Sequence, residues 1–446
     1  MKNLFVEKMK KEGLSDIVIN TFVNYYNKLI NGETGKLSKN DITKPDADKI
    51  IDYNQLKSLE QNNLDKLAII KLNGGLGTSM GLKKAKSLLP VKNNLSFLDI
   101  ITKQVLFLRD KTKSKMPIIF MNSFNTQKDT LDVLDKYPEI KNQACPLSFV
   151  QNKFPKIIKR DFSPLNNKDD SLNWNPPGHG DIFSCLAQEN LIDTLLDNKI
   201  EYIFVSNSDN LGAIADTKIL DYMIESKTPF LMEVCKRTEM DKKGGHLAQT
   251  KSGRLILRES AQCPDNETDE FQNIQIYNYF NTNNLWIELK ALKEIMDKHD
   301  NIIELPLIVN PKTVEGIDVI QLETAMGAAI SIFDNAKAIL VNRDRFTPVK
   351  KTQDLVLIWS DIYELKEDFT LNKLSQIDHI LDLDSTYYGE IDQTQKRFAE
   401  GIPSLKECPS LTIKGDISFG KNTIFKGQIN LQAFEPTKLA NIKIEN

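Results

Sequence analysis

A short apolar run, Leu67-Ala68-Ile69-Ile70-Lys71-Leu72, empties directly into a loop with glycine at positions 74, 75, 77 and 81. A run of this kind ending in clustered glycine is the pattern of a buried strand feeding a tight loop. Glycine has no Cβ, so successive backbone N–H groups can converge on an anion and approach it closely. The loop is neither a Walker A motif nor G-x-G-x-x-G, because no Gly-Lys-Ser/Thr follows at the required spacing and position 80 is Met. Lys86 follows the glycines closely enough to bring a point charge to a phosphate. Spacing alone also fits a structural turn followed by a solvated basic run at Lys83, Lys84 and Lys86.

Further strands are expected at 117–121, 147–151, 202–206, 230–234 and 338–341, with helices at 97–108, 182–196 and 319–333. Alternation of this sort favours an α/β sheet with parallel strands, where ligands sit at the carboxyl ends of the strands. One such end is Phe204-Val205-Ser206-Asn207-Ser208-Asp209-Asn210. An aspartate there can hold Mg²⁺, which takes one or two carboxylates and leaves room for water and phosphate oxygens. It can equally cap the following turn. Ser252-Gly253, between two apolar runs, predicts an antiparallel hairpin.

The first fifty-odd residues read as a charged helical lobe, with Leu14, Ile17, Phe22, Tyr26 and Leu29 along one stripe. Near the other end, apolar residues recur every sixth position. Ile413, Phe419, Phe425 and Leu431 form one register, and Leu411, Ile417, Thr423 and Ile429 a second, with Gly415 and Gly427 twelve apart. Ladders of this kind predict stacked parallel β-coils that pack or oligomerise.

The 446 residues carry 58 Lys+Arg against 61 Asp+Glu, a formal charge of -3. No global basic field argues for nucleic acid or an anionic membrane, so an anionic ligand must be met locally. The five cysteines are scattered, without a C-x-x-C pair, as reduced thiols in a cytosol would be. No apolar run approaches the ~18 residues of a membrane span, and charge returns within the first eight residues, so a cytoplasmic location is expected.

Several blocks, taken together, identify a resemblance. They are Lys71-Leu72-Asn73-Gly74-Gly75-Leu76-Gly77-Thr78 through Lys86-Ser87, Asn122 to Thr126, Pro176-Pro177-Gly178-His179-Gly180-Asp181 and Ser206 to Gly212. Lys243-Gly244-Gly245, Asn281 to Trp286, Val319 to Ala325 and Arg345 to Lys350 follow in order. The chain resembles the eukaryotic-type UTP–glucose-1-phosphate uridylyltransferase family, also called UDP-glucose pyrophosphorylases. That resemblance implies a Rossmann-like nucleotidyltransferase domain with a mixed sheet at 56–360, after an N-terminal helical lobe at 1–55. It also implies a linker and C-terminal left-handed parallel β-helix at 361–446.

The implied reaction is UTP plus glucose 1-phosphate giving UDP-glucose and pyrophosphate, with Mg²⁺ as cofactor. By the same resemblance Leu72, Asn73, Gly74 and Gly75 line the nucleotide, with Lys86 on its phosphates. Gln151 and the backbone at Gly178 meet the uracil beside Met121. His179, Asn207 and Ser208 face the sugar phosphate, and Gly245, Glu259 and Asn281 its hydroxyls. Asp209 holds the metal, and Lys350 reaches the phosphates from the far side.

A sugar phosphate is already anionic, so the attack requires no serine, cysteine or base to generate a nucleophile. Catalysis then rests on positioning and charge neutralisation, which the resemblance assigns to Lys86, Lys350 and Asp209. His179, in a rigid Pro-Pro-Gly-His-Gly turn, reads as a hydrogen-bonding group, and Trp286 as core. The chain has Lys84-Ala85-Lys86-Ser87 where the family often has Gly-Pro-Lys-Ser, and its last coils look short, which favours a monomer or dimer. Two alternatives are a UDP-N-acetylhexosamine pyrophosphorylase, whose glycine loop usually carries Arg where this chain has Ser79, and a non-catalytic UDP-sugar sensor.

Overall fold

The computed structural model describes residues 1–57 and 63–446. Eight strands form the main path of an eleven-stranded central sheet: β1 (Ile50–Asp52), β2 (Leu67–Asn73), β3 (Ile118–Asn122), β4 (Ser148–Val150), β5 (Tyr202–Asn207), β6 (Phe230–Lys236), β7 (Tyr279–Glu288) and β8 (Lys337–Leu340). Their spatial order is β1-β8-β6-β7-β5-β2-β3-β4. Only β7 runs against its neighbours in this path; β5, β2, β3 and β4 pair in parallel, as do β6, β8 and β1. The fold is therefore mixed α/β around one large sheet.

Strand periodicity explains why these segments are apolar throughout. Ala68, Ile70, Ile203 and Val205 enter the core on one face, and Leu67, Ile69, Tyr202 and Phe204 the core on the other. A strand covered on both faces has no polar side to show. Each large apolar side chain so buried contributes roughly 1.5–3 kcal/mol of transfer free energy. The helix Phe97–Thr112 is started by a reciprocal capping box between Ser96 and Asp99, then lays its apolar stripe on the second core.

Three local expectations need correction. The stretch 319–333 is not a helix: Ile317–Thr324 is a strand paired antiparallel with Leu307–Val314, and a 3₁₀ segment, Met326–Ser331, follows. The segment at 182–196 is two short helices, Ile182–Gln188 and Leu191–Asp197, broken where Asn190 turns left-handed at φ 49°. The N-terminal region is α-helical only to Ile30, with short 3₁₀ turns beyond; Ile42–Thr43 and β1 join the sheet instead. The hairpin expected at Ser252-Gly253 is present, pairing His246–Thr250 with Leu255–Arg258.

Beyond the sheet, Ile380–Leu383, Ser404–Lys414, Ile424–Gln432 and Lys443–Glu445 pair in parallel. Leu411 stands opposite Ile429 and Ile413 opposite Leu431, three six-residue steps further on. Ile413, Phe419 and Phe425 share one core with Leu411, Ile417 and Ile429. All five cysteines are buried and unpaired. Among the described residues, no helix is long and apolar enough to cross a membrane.

Candidate functional site

The carboxyl ends of β2, β3 and β5 open into a cavity of about 330 Å³. Leu72, Asn73, Gly74 and Gly75 form one wall, continued by Lys86 and Ser87. Met121 and Gln151 come from the neighbouring strand ends, Asn207, Ser208 and Asp209 from the end of β5, and Pro176, Gly178 and His179 close the side. Residues spread over 137 positions of sequence (72 to 209) are thus gathered by parallel strand pairing, which places all these ends on one edge of the sheet.

The glycine loop owes its course to positive φ. Gly77 has φ 68°, and a Cβ there would stand 2.7 Å from Leu82 Cδ1 and 3.3 Å from Lys86 Cβ. With no side chain at 77, the chain folds back so that Lys86 N–H donates to Gly75 O at 3.0 Å. Asn73 is turned away from a ligand role by its amide: Nδ2 donates to Asn122 Oδ1 and Thr130 Oγ1, at 2.7 and 2.8 Å. It braces the strand end, and Ser123 Oγ does the same by donating to Gly74 O at 2.9 Å. Gln151 lies directly over Gly74, with Nε2 3.0 Å from where a Cβ would be.

The charge centre is compact. Lys86 Nζ donates to Asp209 Oδ2 at 2.7 Å and to Val349 O, while Val349 N–H donates to Asp209 O at 3.2 Å. Asp209 therefore does not cap the following helix, a task performed by Asp216. Lys86 and Asp209 are the charged side chains of the cavity wall, and as an ion pair they cancel. A triphosphate entering here needs further positive charge.

His179 is neutral at pH 7, since burial pushes its imidazole down to about 4. Its Nδ1 accepts from Met326 N–H at 2.9 Å, which leaves the proton on Nε2 as a donor. Two buried hydroxyls of the wall, Ser87 Oγ and Ser208 Oγ, have no hydrogen-bond partner among the described residues. Buried polar groups are almost always paired, so these two hydroxyls in the cavity wall are free to bond a ligand or water.

Lys350, Gly245, Glu259 and Asn281 do not line this cavity; they form a second group beside it. Lys350 follows Val349, and its ammonium lies 5.9 Å from the centre of the Phe280 ring. Burial raises the Glu259 carboxyl above its usual range, opposed by the positive charge of Lys350. A Cβ on Gly245 would meet Glu259 Oε2 at 2.6 Å, and Asn281 N–H donates to Gly245 O at 3.2 Å. Trp286 is core, fully buried, stacked 4.4 Å from Phe204 and donating Nε1–H to Glu233 Oε1 at 2.8 Å.

The donor set suits a divalent ion shared with a nucleotide. Among the described residues no group of three or more His, Cys, Asp or Glu could hold a metal unaided. One cavity carboxylate, Asp209, supplemented by phosphate oxygens, is how Mg²⁺ is commonly bound. Sequence reasoning did not select Ser87, which follows Lys86, or Pro176, two residues before Gly178. It also missed Lys71, which is buried with Nζ donating to Ser206 Oγ at 2.8 Å and Ala213 O at 2.7 Å. Desolvation lowers that ammonium to about 7. Its only signal was a lysine inside an otherwise apolar run.

Comparison with known proteins places the whole chain. A family model described as UTP–glucose-1-phosphate uridylyltransferase matches residues 19–426. A protein of that name from Hordeum vulgare is 39% identical over 429 residues, covering 94% of this chain and 89% of its own. UTP–glucose-1-phosphate uridylyltransferase 2 of Dictyostelium discoideum is 37% identical over 453 residues, covering 97% and 89%. A variant of UDP-glucose pyrophosphorylase from Leishmania major, solved in complex with UDP-glucose, superposes with a TM-score of 0.92 at 38% identity. That match covers 100% of this chain and 98% of the other.

Proposed function

The chain belongs to the UTP–glucose-1-phosphate uridylyltransferase family, and on that footing we propose how it converts UTP and glucose 1-phosphate into UDP-glucose and pyrophosphate. A phosphate oxygen of the sugar phosphate attacks the α-phosphorus of UTP in line. The bond from the α-phosphorus to the bridging oxygen breaks, and pyrophosphate leaves with the electron pair. No proton has to be removed to create the nucleophile. The barrier is electrostatic, and pre-organised positive charge lowers it.

The observation that carries this reading is the meeting of Lys86, Asp209 and Val349 at the end of β5, in a cavity walled by the glycine loop. Leu72, Asn73, Gly74 and Gly75 guide the nucleotide, chiefly by backbone. Gln151 and the Gly178 backbone read the uracil, with Met121 beside it. His179, through Nε2–H, acts with Asn207 and Ser208 on the sugar phosphate, and Gly245, Glu259 and Asn281 act on the hexose hydroxyls. Lys86 and Lys350 bring ammonium groups to the phosphates from two sides. Asp209 would hold Mg²⁺, which when bound would supply the remaining charge neutralisation.

The same reading treats 1–55 as the N-terminal lobe, 56–360 as a Rossmann-like catalytic domain and 361–446 as a linker with a left-handed parallel β-helix. It assigns the protein to the cytoplasm as a monomer or dimer. The test is a forward assay with a panel of sugar 1-phosphates and the four common nucleoside triphosphates. Pyrophosphate release is expected to need UTP, glucose 1-phosphate and Mg²⁺ together. Faster release with N-acetylglucosamine 1-phosphate, or tight UDP-glucose binding without turnover, would overturn it.

A further inference from the structure

Lys350 is exposed, yet the segment leading to it is held from beneath by a buried polar network that the reaction chemistry does not itself require. Its centre is Asn210, only 1% exposed and adjacent in sequence to Asp209. Asn210 Nδ2–H donates to Arg345 O at 3.1 Å, and its Oδ1 accepts from Thr347 N–H at 3.0 Å. The backbones of Asn210 and Pro348 form an antiparallel bridge, and Val349 N–H donates to Asp209 O. One side chain thereby staples the residue after the carboxylate to the segment that carries the lysine.

The staple is anchored in turn. Arg345 lays its guanidinium on the Glu233 carboxylate, with Nε 2.8 Å from Oε2, and donates Nη2–H to Ile214 O at 3.0 Å. Asn284 Nδ2 donates to the same Glu233 oxygen at 2.9 Å and to Arg345 O at 3.3 Å. Glu233 is fully buried and belongs to β6, Asn284 to β7. The two central strands thus reference the 345–350 segment, whose Arg345 lies 112 residues from Glu233 along the chain, against the end of β5. Asn210, Arg345, Glu233 and Asn284 pair with one another in this network, and shifting any of them would leave a desolvated group unpaired.

We propose that Asn210 is a positioning residue for uridylyl transfer: it fixes Lys350 relative to Asp209, so that both address the same triphosphate. This rests on the roles given above to Lys350 and Asp209. A hydrogen-bonding amide is needed because the site presents two acceptors, Arg345 O and Asn284 Oδ1, and one donor, Thr347 N–H, to a single side chain.

A double-substitution cycle with UTP and glucose 1-phosphate tests it, with thermal melting as a check on folding. Asn210→Ala is expected to lower kcat by about tenfold or more while each KM stays within about threefold, since catalytic geometry and not ground-state binding is lost. In a Lys350→Ala background the same change is expected to alter kcat by less than about twofold, because its effect passes through that lysine. Asn210→Asp keeps the acceptor for Thr347 N–H and loses the donor to Arg345 O; it is expected to behave in the same way, and serves if the alanine variant does not fold. Multiplicative losses in the double variant, or normal kcat in Asn210→Ala, overturn the inference and leave the role of Lys350 intact. Normal kcat in Lys350→Ala alone overturns that role, and the inference with it.

Discussion

Lys86 satisfies a carboxylate and a backbone carbonyl at once, and on the proposed mechanism a nucleotide phosphate draws it from that arrangement. Lys86→Ala is expected to cut kcat about a hundredfold or more, the usual scale for removing one pre-organised donor, or roughly 3–4 kcal/mol. Circular dichroism should show an unchanged fold; near-normal turnover would refute the assignment. His246 offers a separate test by pH. It is fully buried, stacked 4.0 Å from Tyr277, and pushed down to about 3 from the ordinary value of 6.5. Between those values the unfolded chain binds a proton that the folded chain refuses, so stability falls as pH drops from about 6.5 toward 3. Each unit of pH across that window costs up to about 1.4 kcal/mol per such group. The urea midpoint of His246→Gln should fall less steeply between pH 7 and 5 than that of the parent protein. Equal slopes would show that His246 does not titrate this way.

Glycine does two different jobs within one loop, and substitution separates them. A Cβ at Gly75 would meet nothing within 4 Å, so Gly75→Ala should leave the melting temperature unchanged while placing a methyl group in the cleft and weakening UTP binding. Gly77→Ala must force a left-handed backbone and crowd Leu82, at a cost of about 1–2 kcal/mol, so here the melting temperature itself should fall. Calorimetric melting and UTP titration of the two variants, compared, check both halves. The loop and the strands around it were legible in sequence because their signals are local: an apolar run, then glycine. The region 319–333 was not, because Val319, Ile320, Leu322, Met326 and Ile330 also fit a helical stripe. What decided for a strand was pairing with Leu307–Val314 across a turn at Glu315-Gly316, where Gly316 has φ 80°. That Glu-Gly turn was the available signal.

At the scale of the whole molecule, the sheet brings together charges from widely separated parts of the chain. Lys86, Asp209 and Val349 come from three such regions, and no periodicity reveals that Arg345 will seat on Glu233 or that Asn210 will staple its segment. Family resemblance nominated Lys350, Gly245, Glu259 and Asn281, but could not show that they form a group beside the cavity and not in its wall. The account depends on one convergence: the cavity ion pair must open onto the phosphates of a bound nucleotide. The most direct measurement is anomalous diffraction from a crystal grown with UTP and Mn²⁺ in place of Mg²⁺. The account predicts a manganese peak at the Asp209 carboxylate, shared with phosphate oxygens, and Lys86 Nζ within hydrogen-bond reach of the triphosphate. A metal bound elsewhere, or phosphates remote from Lys86 and Asp209, would contradict it.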